Sequence, residues 1–448
     1  MLGLRIIHYM RANQSQATPV WYNIERSRCR DVEPFLHNHL TPRPQFKRTK
    51  DNKKTMHIPT ALASLLPLCL LVDGIQLPAP SGPYNVGFTQ HIFNHSTPDD
   101  PTPGPGTFYL TSIYYPTRAS PAPNSSVPYF DPTSAAIWGE VFNILPADLQ
   151  SLETTLQWQA PLLSERADVD KLKTWPTLVF GPGGGMNAGY FTSLLSELAS
   201  QGYTVLALDH PGEAPYLALP YGNPGVVGWD IYMPYSDALV VEIYEFRRAD
   251  LLHLLGPDGF PALVETYGAY FNAAAYGAFG HSIGGAAATG AMDRDSNIGA
   301  GFNIDGGLFG DSVNASMRGR PYFMTMNPNH FAQDADSWPL FAESYYNESK
   351  TAPGWLDWTT VEGSAHLAFS DVSLWVELLP QIPNTTAQVD LGNVTGSRMD
   401  ALLKTYAGAF WEFVRGGEYD TALLEGEVKE WPEVVFNAKV RSNGTQRH

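Results

Sequence analysis

The segment GHSIG, residues 280–284, places Ser282 between two glycines. A serine hydroxyl can attack a carbonyl when a neighbouring base takes its proton and an acid orients that base. The pattern Gly-x-Ser-x-Gly is common in a glycine-rich chain, so its surroundings decide what it means. An apolar strand candidate precedes Ser282, and a small-residue helix candidate follows it at 283–291. This order favours a tight turn that presents the hydroxyl at the edge of a sheet.

A base and an acid for Ser282 are expected further along the chain, in the order serine, acid, histidine. Asp305 ends the apolar segment FNID and is followed by two glycines, which favours it as the acid. His366 comes directly after the last apolar strand candidate, which favours it as the base. Other histidines and carboxylates after Ser282 stay open as alternatives: His330 and His448 for the base, and Asp293, Asp295, Asp311 and Asp371 for the acid.

The negative charge that develops on an attacked carbonyl oxygen needs backbone N–H donors. One donor is expected from Ile283, directly after the serine, and the other from the glycine-rich loop FGPGGG at 180–185. Pro182 in this loop has no N–H. Among the glycines of the loop, Gly184 is predicted as the second donor of this oxyanion hole.

The same loop imitates a dinucleotide-binding fingerprint, because Gly183-x-Gly185-x-x-Ala188 follows a strand candidate and Asp209 ends the next one. Both uses need backbone amides at a strand-to-helix turn. The spacing is loose and the serine motif already explains the loop, so no cofactor is predicted. No phosphate-binding loop or paired-histidine zinc motif occurs in the sequence, and no metal is predicted either.

These residues must be positioned by an alternation of short apolar runs and amphipathic segments. Strands are predicted at 108–117, 175–181, 203–210, 276–280, 298–307, 320–328 and 355–363, and the clearest helices at 190–202, 238–256 and 399–417. Strands separated by helices imply a mostly parallel central sheet with helices on both faces, the α/β class. An aromatic segment at 216–235 is an open candidate for lining the site or touching lipid.

The formal charge of −17 is unevenly distributed along the 448 residues. Residues 1–55 carry eleven Lys/Arg against four Asp/Glu, so the remainder is strongly acidic. An acidic body argues against nucleic acid as a partner, because binding phosphates requires Lys and Arg.

The start of the chain resembles an export signal. Residues 56–74 begin with methionine and contain a short apolar run interrupted by prolines, which predicts a secretory signal peptide. Residues 1–55 then form an extension of the gene model, and a type II membrane anchor is the alternative. Both cysteines, Cys29 and Cys69, lie before the expected cleavage near Gly74. Seven glycosylation sequons follow it, at Asn94, Asn124, Asn314, Asn347, Asn384, Asn393 and Asn443.

Four segments together resemble the secreted platelet-activating factor acetylhydrolase family of α/β-hydrolases, and particularly its fungal relatives. They are FGPGGGMNAGYFTSLLSELASQGYTVLALDHPG, FGHSIGGAAA, NIDGG and GSAHLAFSD. The resemblance implies an α/β-hydrolase fold, with Ser282 as nucleophile, Asp305 as acid, His366 as base, and the amides of Gly184 and Ile283 as the oxyanion hole. It also implies calcium-independent hydrolysis of short sn-2 acyl chains from phospholipids, without a cofactor.

One position departs from the family pattern: Pro182 stands where better-known members carry a histidine. A broad carboxylesterase or polyester hydrolase is therefore the alternative function, and a catalytically inactive binding module is the second alternative. The expected partner is an ester or phospholipid substrate, without nucleic acid or a stable membrane span; the oligomeric state is left open. The expected organisation is an extended lead-in at 75–107, one catalytic domain at 108–420 and a tail at 421–448.

Overall fold

The computed structural model describes residues 74–121, 126–330, 336–382 and 389–441. These residues form one compact unit. The expected extension and nearly all of the expected signal peptide lie outside the described residues, as do both cysteines. Three of the seven sequons, at Asn124, Asn384 and Asn443, lie outside them as well.

The strands of this unit form one large mixed sheet and a separate small hairpin. The sheet order is β1-β5-β2-β3-β7-β6-β10-β11-β12-β13-β14, with β4 paired to β5, and β8 pairs with β9. The strands are β1 Ile75–Gln76, β2 Asn85–Asn94, β3 Phe108–Thr117, β4 Ser126–Pro128, β5 Leu152–Trp158, β6 Thr177–Gly181, β7 Val205–Asp209, β8 Tyr216–Leu217, β9 Val226–Val227, β10 Tyr276–His281, β11 Ile298–Ile304, β12 Tyr322–Met326, β13 Trp355–Val361 and β14 Val434–Arg441.

The central strands β7, β6, β10, β11, β12 and β13 are all parallel to their neighbours in this series. They are nearly continuous apolar runs because helices cover both faces. Antiparallel pairing occurs where β3 joins β7 and where β14 joins β13. The predicted mostly parallel sheet is therefore confirmed, and its carboxyl edge carries the candidate residues.

The α-helices lie on the two faces of this sheet. They are α1 Pro132–Phe142, α2 Pro146–Gln150, α3 Arg166–Thr174, α4 Thr192–Gln201, α5 Asp237–Leu255, α6 Phe260–Tyr267, α7 Ile283–Arg294, α8 Ser337–Glu348, α9 Val372–Leu378, α10 Gly396–Val414 and α11 Thr421–Glu425. Trp411 of α10 packs on Phe279 of β10, with ring centroids 5.8 Å apart. Gly284 of α7 packs on the opposite side of that strand, at Gly280. No helix within the described ranges is both long and apolar enough to cross a membrane.

The structure differs from the sequence expectation at both ends of the domain. The segment expected as a lead-in contains β2, which pairs along its whole length with β3. The segment expected as a tail contains α11 and β14, and β14 borders β13. The region from 134 to 173, where no strand was predicted, also contains β5. These strands are partly exposed because they lie toward the edges of the sheet, so they lack the continuous apolar runs that mark the central strands in the sequence.

Candidate active site

Ser282 lies at the turn between β10 and α7, with φ 56° and ψ −132°. A positive φ is strained for a residue with a side chain and persists where the surroundings over-determine it. The N–H of Ser282 donates to the carbonyl of Ile304 at 2.9 Å. A Cβ added at Gly284 would lie 2.2 Å from the carbonyl oxygen of Gly181, so only glycine lets the helix approach the neighbouring strand this closely. The predicted tight turn is present, and it is held by backbone packing.

His366 begins a short 3₁₀ turn, His366–Phe369, after β13. Its Nε2 lies 3.0 Å from the Oγ of Ser282, and its Nδ1 lies 2.6 Å from Oδ2 of Asp305. Because an ionised carboxylate only accepts, the ring proton is on Nδ1, and the Nε2 lone pair faces the serine hydroxyl. The side chain is 26% exposed, whereas that of Asp305 is fully buried. The structure thus brings together the three residues that the sequence singled out.

Asp305 directly follows β11 and has φ 54°. Its carboxylate accepts from the backbone N–H of Asn327 at 3.0 Å and from the Asn327 side-chain amide at 2.6 Å. His330 donates to it from Nδ1 at 2.9 Å. Burial alone would raise the pKa of this carboxyl, but hydrogen bonds and charge from His330 and His366 hold the pKa well below its usual range. Asp305 is consequently ionised near neutral pH.

His330, the alternative base, contacts the acid and packs on the ring of Trp338, with centroids 4.5 Å apart. His330 follows the end of β12 by four residues, and this position was the sequence signal that made it a candidate. The alternative acids lie in other networks: Asp293 accepts from Ser316, Asp295 caps α7, Asp311 pairs with Arg248 and Arg294, and Asp371 accepts from Ser193 and Tyr129.

His281, the residue before the serine, is completely buried under the ring of His366, with ring centroids 4.6 Å apart. Its Nε2 lies 2.9 Å from the backbone carbonyl of His366 and must donate to it. Burial, helped by the neighbouring His366, lowers the pKa of His281 to about 3. The ring is therefore neutral. His281 lies within the GHSIG motif, but the sequence did not predict its contact with His366.

The loop after β6 lies beside the first turn of α7. A Cβ on Gly183 would approach Nδ1 of His281 to 2.7 Å, and a Cβ on Gly184 would approach the ring of Tyr235 to 2.8 Å. Ile283 is the first residue of α7, so its N–H has no partner within the helix. Gly183, which precedes Gly184, thus lies against His281 of the serine turn, and Ile283 belongs to that turn itself.

Two charged residues in this neighbourhood were absent from the sequence predictions. Arg247 of α5 and Glu213, which follows β7, form a buried ion pair that contacts the loop after β6. They are 34 residues apart in the sequence, and no local pattern indicates that they meet.

Among the described residues, one group has ligand atoms close enough together for a metal ion: His281, Asp305 and His366. Its nitrogens also serve the hydrogen bonds described above, from His281 to the His366 carbonyl and from His366 to Asp305. Asp209, the acidic residue of the dinucleotide-like pattern, accepts the N–H of Ala188 at 2.7 Å. The Asp209 carboxylate is thus bound to the backbone just after the glycine-rich loop, where a dinucleotide would have to bind.

Comparisons with known proteins bear on the family. The model described as "Alpha/beta hydrolase family" matches residues 178–430, more than half of the chain. A protein of Arthroderma benhamiae named "Probable 1-alkyl-2-acetylglycerophosphocholine esterase" is 29% identical over 269 residues, which are 58% of this chain and 66% of the relative. The "Platelet-activating factor acetylhydrolase" of Cavia porcellus is 21% identical over 405 residues, which are 83% of this chain and 86% of the relative.

A solved structure shares the fold. The ferulic acid esterase from Streptomyces cinnamoneus aligns with a TM-score of 0.62 at 24% identity, over 82% of this chain and 100% of that one. The predicted α/β-hydrolase fold is confirmed, and the two named relatives confirm the resemblance to the platelet-activating factor acetylhydrolases. The chain belongs to the alpha/beta hydrolase family.

Proposed function

We propose that the protein is a secreted serine esterase that hydrolyses short-chain carboxylic esters, with the sn-2 acetyl or short acyl group of phospholipids as its substrate class. The observation that carries the proposal is the position of His366, whose two ring nitrogens face Ser282 and Asp305 at 3.0 and 2.6 Å. The substrate class is supported by the names of the two relatives, which are a 1-alkyl-2-acetylglycerophosphocholine esterase and a platelet-activating factor acetylhydrolase.

Acylation follows from this arrangement. His366 Nε2 takes the hydroxyl proton of Ser282 while Oγ attacks the ester carbonyl carbon. The oxyanion accepts hydrogen bonds from the amides of Gly184 and Ile283. The tetrahedral intermediate then collapses, the C–O bond to the alcohol breaks, and the imidazolium of His366 returns its proton to the leaving oxygen. Asp305 stays ionised, keeps the ring proton on Nδ1 and stabilises the imidazolium.

Deacylation repeats these steps with water. His366 takes a proton from a water molecule that attacks the acyl carbonyl, and the same two amides hold the second oxyanion. The bond to Ser282 Oγ breaks, the serine regains the proton, and a carboxylic acid leaves. Every proton is carried by His366, so the reaction requires no group beyond the chain's own residues and water.

The proposal is tested by comparing 1-alkyl-2-acetylglycerophosphocholine with p-nitrophenyl acetate and with longer acyl esters. A higher kcat/KM on the acetyl phospholipid supports the proposed substrate class, whereas equal rates on simple esters would favour a broad carboxylesterase. Ser282→Ala is expected to abolish both hydrolysis and labelling by a fluorophosphonate. A wild-type protein that resists the label would indicate the inactive binding module.

Secretion is proposed from residues 56–74 and from the sequons. The four sequon asparagines within the described ranges, Asn94, Asn314, Asn347 and Asn393, are all exposed, as a glycan requires. Expression of the full chain in a eukaryotic host should release a product that begins near Gly74 and loses mass on N-glycosidase treatment. A product retained in membranes with an intact amino terminus would support the type II anchor instead.

A further inference from the structure

A buried ion pair joins the helix α5 to the turn after β7. Arg247 and Glu213 are both 2% exposed. The guanidinium donates from Nε to Oε2 of Glu213 at 2.7 Å and from Nη2 to Oε1 at 2.5 Å, a two-pronged contact. Two charges this deeply buried are retained at a desolvation cost, which further hydrogen bonds must offset.

Those further hydrogen bonds all go to the loop after β6. Arg247 donates from Nη1 to the carbonyl of Pro182 and from Nη2 to the carbonyl of Gly183, the latter at 3.1 Å. Glu213 accepts the N–H of Gly185 at 3.2 Å. The ion pair therefore binds the loop through the carbonyls of Pro182 and Gly183 and the N–H of Gly185. Gly184 lies between these bound groups in the chain.

These hydrogen bonds also determine the direction of the Gly184 N–H, because the peptide bond before it is planar and trans. In a planar trans peptide the C=O of one residue and the N–H of the next point in opposite directions. Because the Gly183 carbonyl points at Arg247, the Gly184 N–H must point away from it. The Gly185 N–H is already used by Glu213, so of these two neighbouring amides the Gly184 N–H is the one left available.

Without these hydrogen bonds, little would restrict the backbone conformation of the loop. Gly183, Gly184 and Gly185 have no side chains to restrict the backbone, and Gly185 is in the left-handed region at φ 67°. A donor stabilises a developing oxyanion only if it is already oriented before the reaction. The ring of Tyr235 also lies against Gly184 and limits the space open to the loop.

We propose that Arg247 and Glu213 are positioning residues that orient the Gly184 amide toward the oxyanion. The inference rests on the proposed function for its catalytic consequence, but the orientation of the loop can be measured without activity. Neither residue touches the substrate. They act on the reaction through the peptide between Gly183 and Gly184.

The test compares Arg247→Lys with Arg248→Lys in the full-length protein. Lysine keeps a positive charge beside Glu213 but cannot bind the carboxylate and two carbonyls together. Arg248 is its neighbour on α5 and contacts Asp311, Glu245 and Tyr244 instead, so its lysine variant is a matched control. Circular dichroism and the melting temperature establish that both variants are folded.

Three readouts are expected to separate the two variants. In Arg247→Lys, kcat on p-nitrophenyl acetate falls by about 10- to 100-fold with KM nearly unchanged, less than the loss of a whole oxyanion donor. The affinity for a trifluoromethyl ketone, whose adduct carries an oxyanion, falls by a similar factor. Amide hydrogen exchange in the peptide containing residues 182–187 becomes faster. Arg248→Lys leaves all three at wild-type values.

A folded Arg247→Lys protein with wild-type kcat and wild-type exchange would overturn the proposal. If that variant does not fold, Glu213→Gln decides, because the amide keeps an acceptor for Gly185 while the ion pair is lost. It should show the same fall in kcat at unchanged KM, and wild-type kinetics would reject the role. If the wild type neither hydrolyses esters nor reacts with a fluorophosphonate, the proposed function fails, and the exchange comparison still decides whether the pair orients the loop.

Discussion

The Nε2 of His281 donates a hydrogen bond to the backbone carbonyl of His366 at 2.9 Å, so the residue before the nucleophile holds the main chain of the base. The two rings also lie against each other, 4.6 Å between centroids. The segment that joins β10 to α7 therefore carries the serine, and through His281 it also holds the 3₁₀ turn that begins with His366.

We expect His281→Leu to lower kcat by about 10- to 100-fold, because a buried carbonyl that loses its donor costs about 1–3 kcal/mol, and His366 would shift to recover it. His281→Gln can still donate and should retain more activity. Steady-state kinetics on p-nitrophenyl acetate give both values. Equal kcat for the leucine variant and the wild type would show that His366 is held by other contacts.

Replacing His330 should change the pH dependence. His330→Phe keeps an aromatic ring beside Trp338 but removes the hydrogen bond to Asp305. More of the carboxylate's negative charge is then available to the imidazolium of His366. The acidic limb of the kcat/KM profile should move to higher pH, by up to about one unit.

This shift is measured from rates between pH 4 and 9. His281 remains neutral in that range because burial lowers its pKa to about 3, so it adds no limb of its own. The matched control is His91→Phe in β2, where the ring packs on Phe93 and the profile should not move. A downward shift in His330→Phe would contradict the expected effect on Asp305.

Gly284→Ala should destabilise the serine turn. The added methyl would lie 2.2 Å from the carbonyl oxygen of Gly181 and 2.4 Å from that of Pro182, and both are backbone atoms that cannot move alone. We expect a loss of about 1–3 kcal/mol in the free energy of unfolding. Gly299→Ala, where the nearest atom would be 3.8 Å away, is the control and should be tolerated. Urea denaturation of the two variants compares them directly.

The stability of the fold should depend on pH through Asp371. Burial, followed by repulsion from Asp400, raises the pKa of its carboxyl to about 7 from an ordinary value of 3.8. The folded state then holds a proton that the unfolded state has lost. The stabilisation of the folded state by this bound proton is complete below about pH 4 and is lost as the pH rises through 7. The free energy of unfolding falls by up to about 1.4 kcal/mol per pH unit in this range.

Asp371→Asn removes this titration while it keeps an acceptor for the Ser193 N–H and the Tyr129 hydroxyl. The melting temperature of the variant should therefore fall less than that of the wild type between pH 5 and 8. Parallel curves for the two proteins would mean that Asp371 ionises normally in the folded state.

The sequence was most informative where burial is greatest. Strands β6, β7, β10, β11, β12 and β13 are apolar runs buried on both faces, and each was anticipated within a few residues. Ser282 and Asp305 could be selected because each directly follows such a strand, and His366 because it lies in the turn after β13. The ends of the strands, which can be recognised in the sequence, thus predicted where the site residues lie.

Other features depend on contacts between distant residues and have no local signal. The pairing of Glu213 with Arg247 is decided by how α5 packs beside the turn after β7, and α5 also carries other charged residues, such as Arg248. His330 had a partial signal, since it follows β12 at the same edge of the sheet. Its contact with Asp305, rather than Ser282, could only be seen in three dimensions.

Strand β14 has a further consequence for the solubility of shortened proteins. It pairs with β13 from Trp355 to Val361, and its Arg441 forms an ion pair at 2.8 Å with the buried Asp357. A protein truncated before Val434 would expose the unpaired backbone of β13 and leave that acidic side chain without its counter-ion. Exposed strand edges recruit strands from other molecules, so aggregation, rather than a simple loss of activity, is the expected defect of such a truncation.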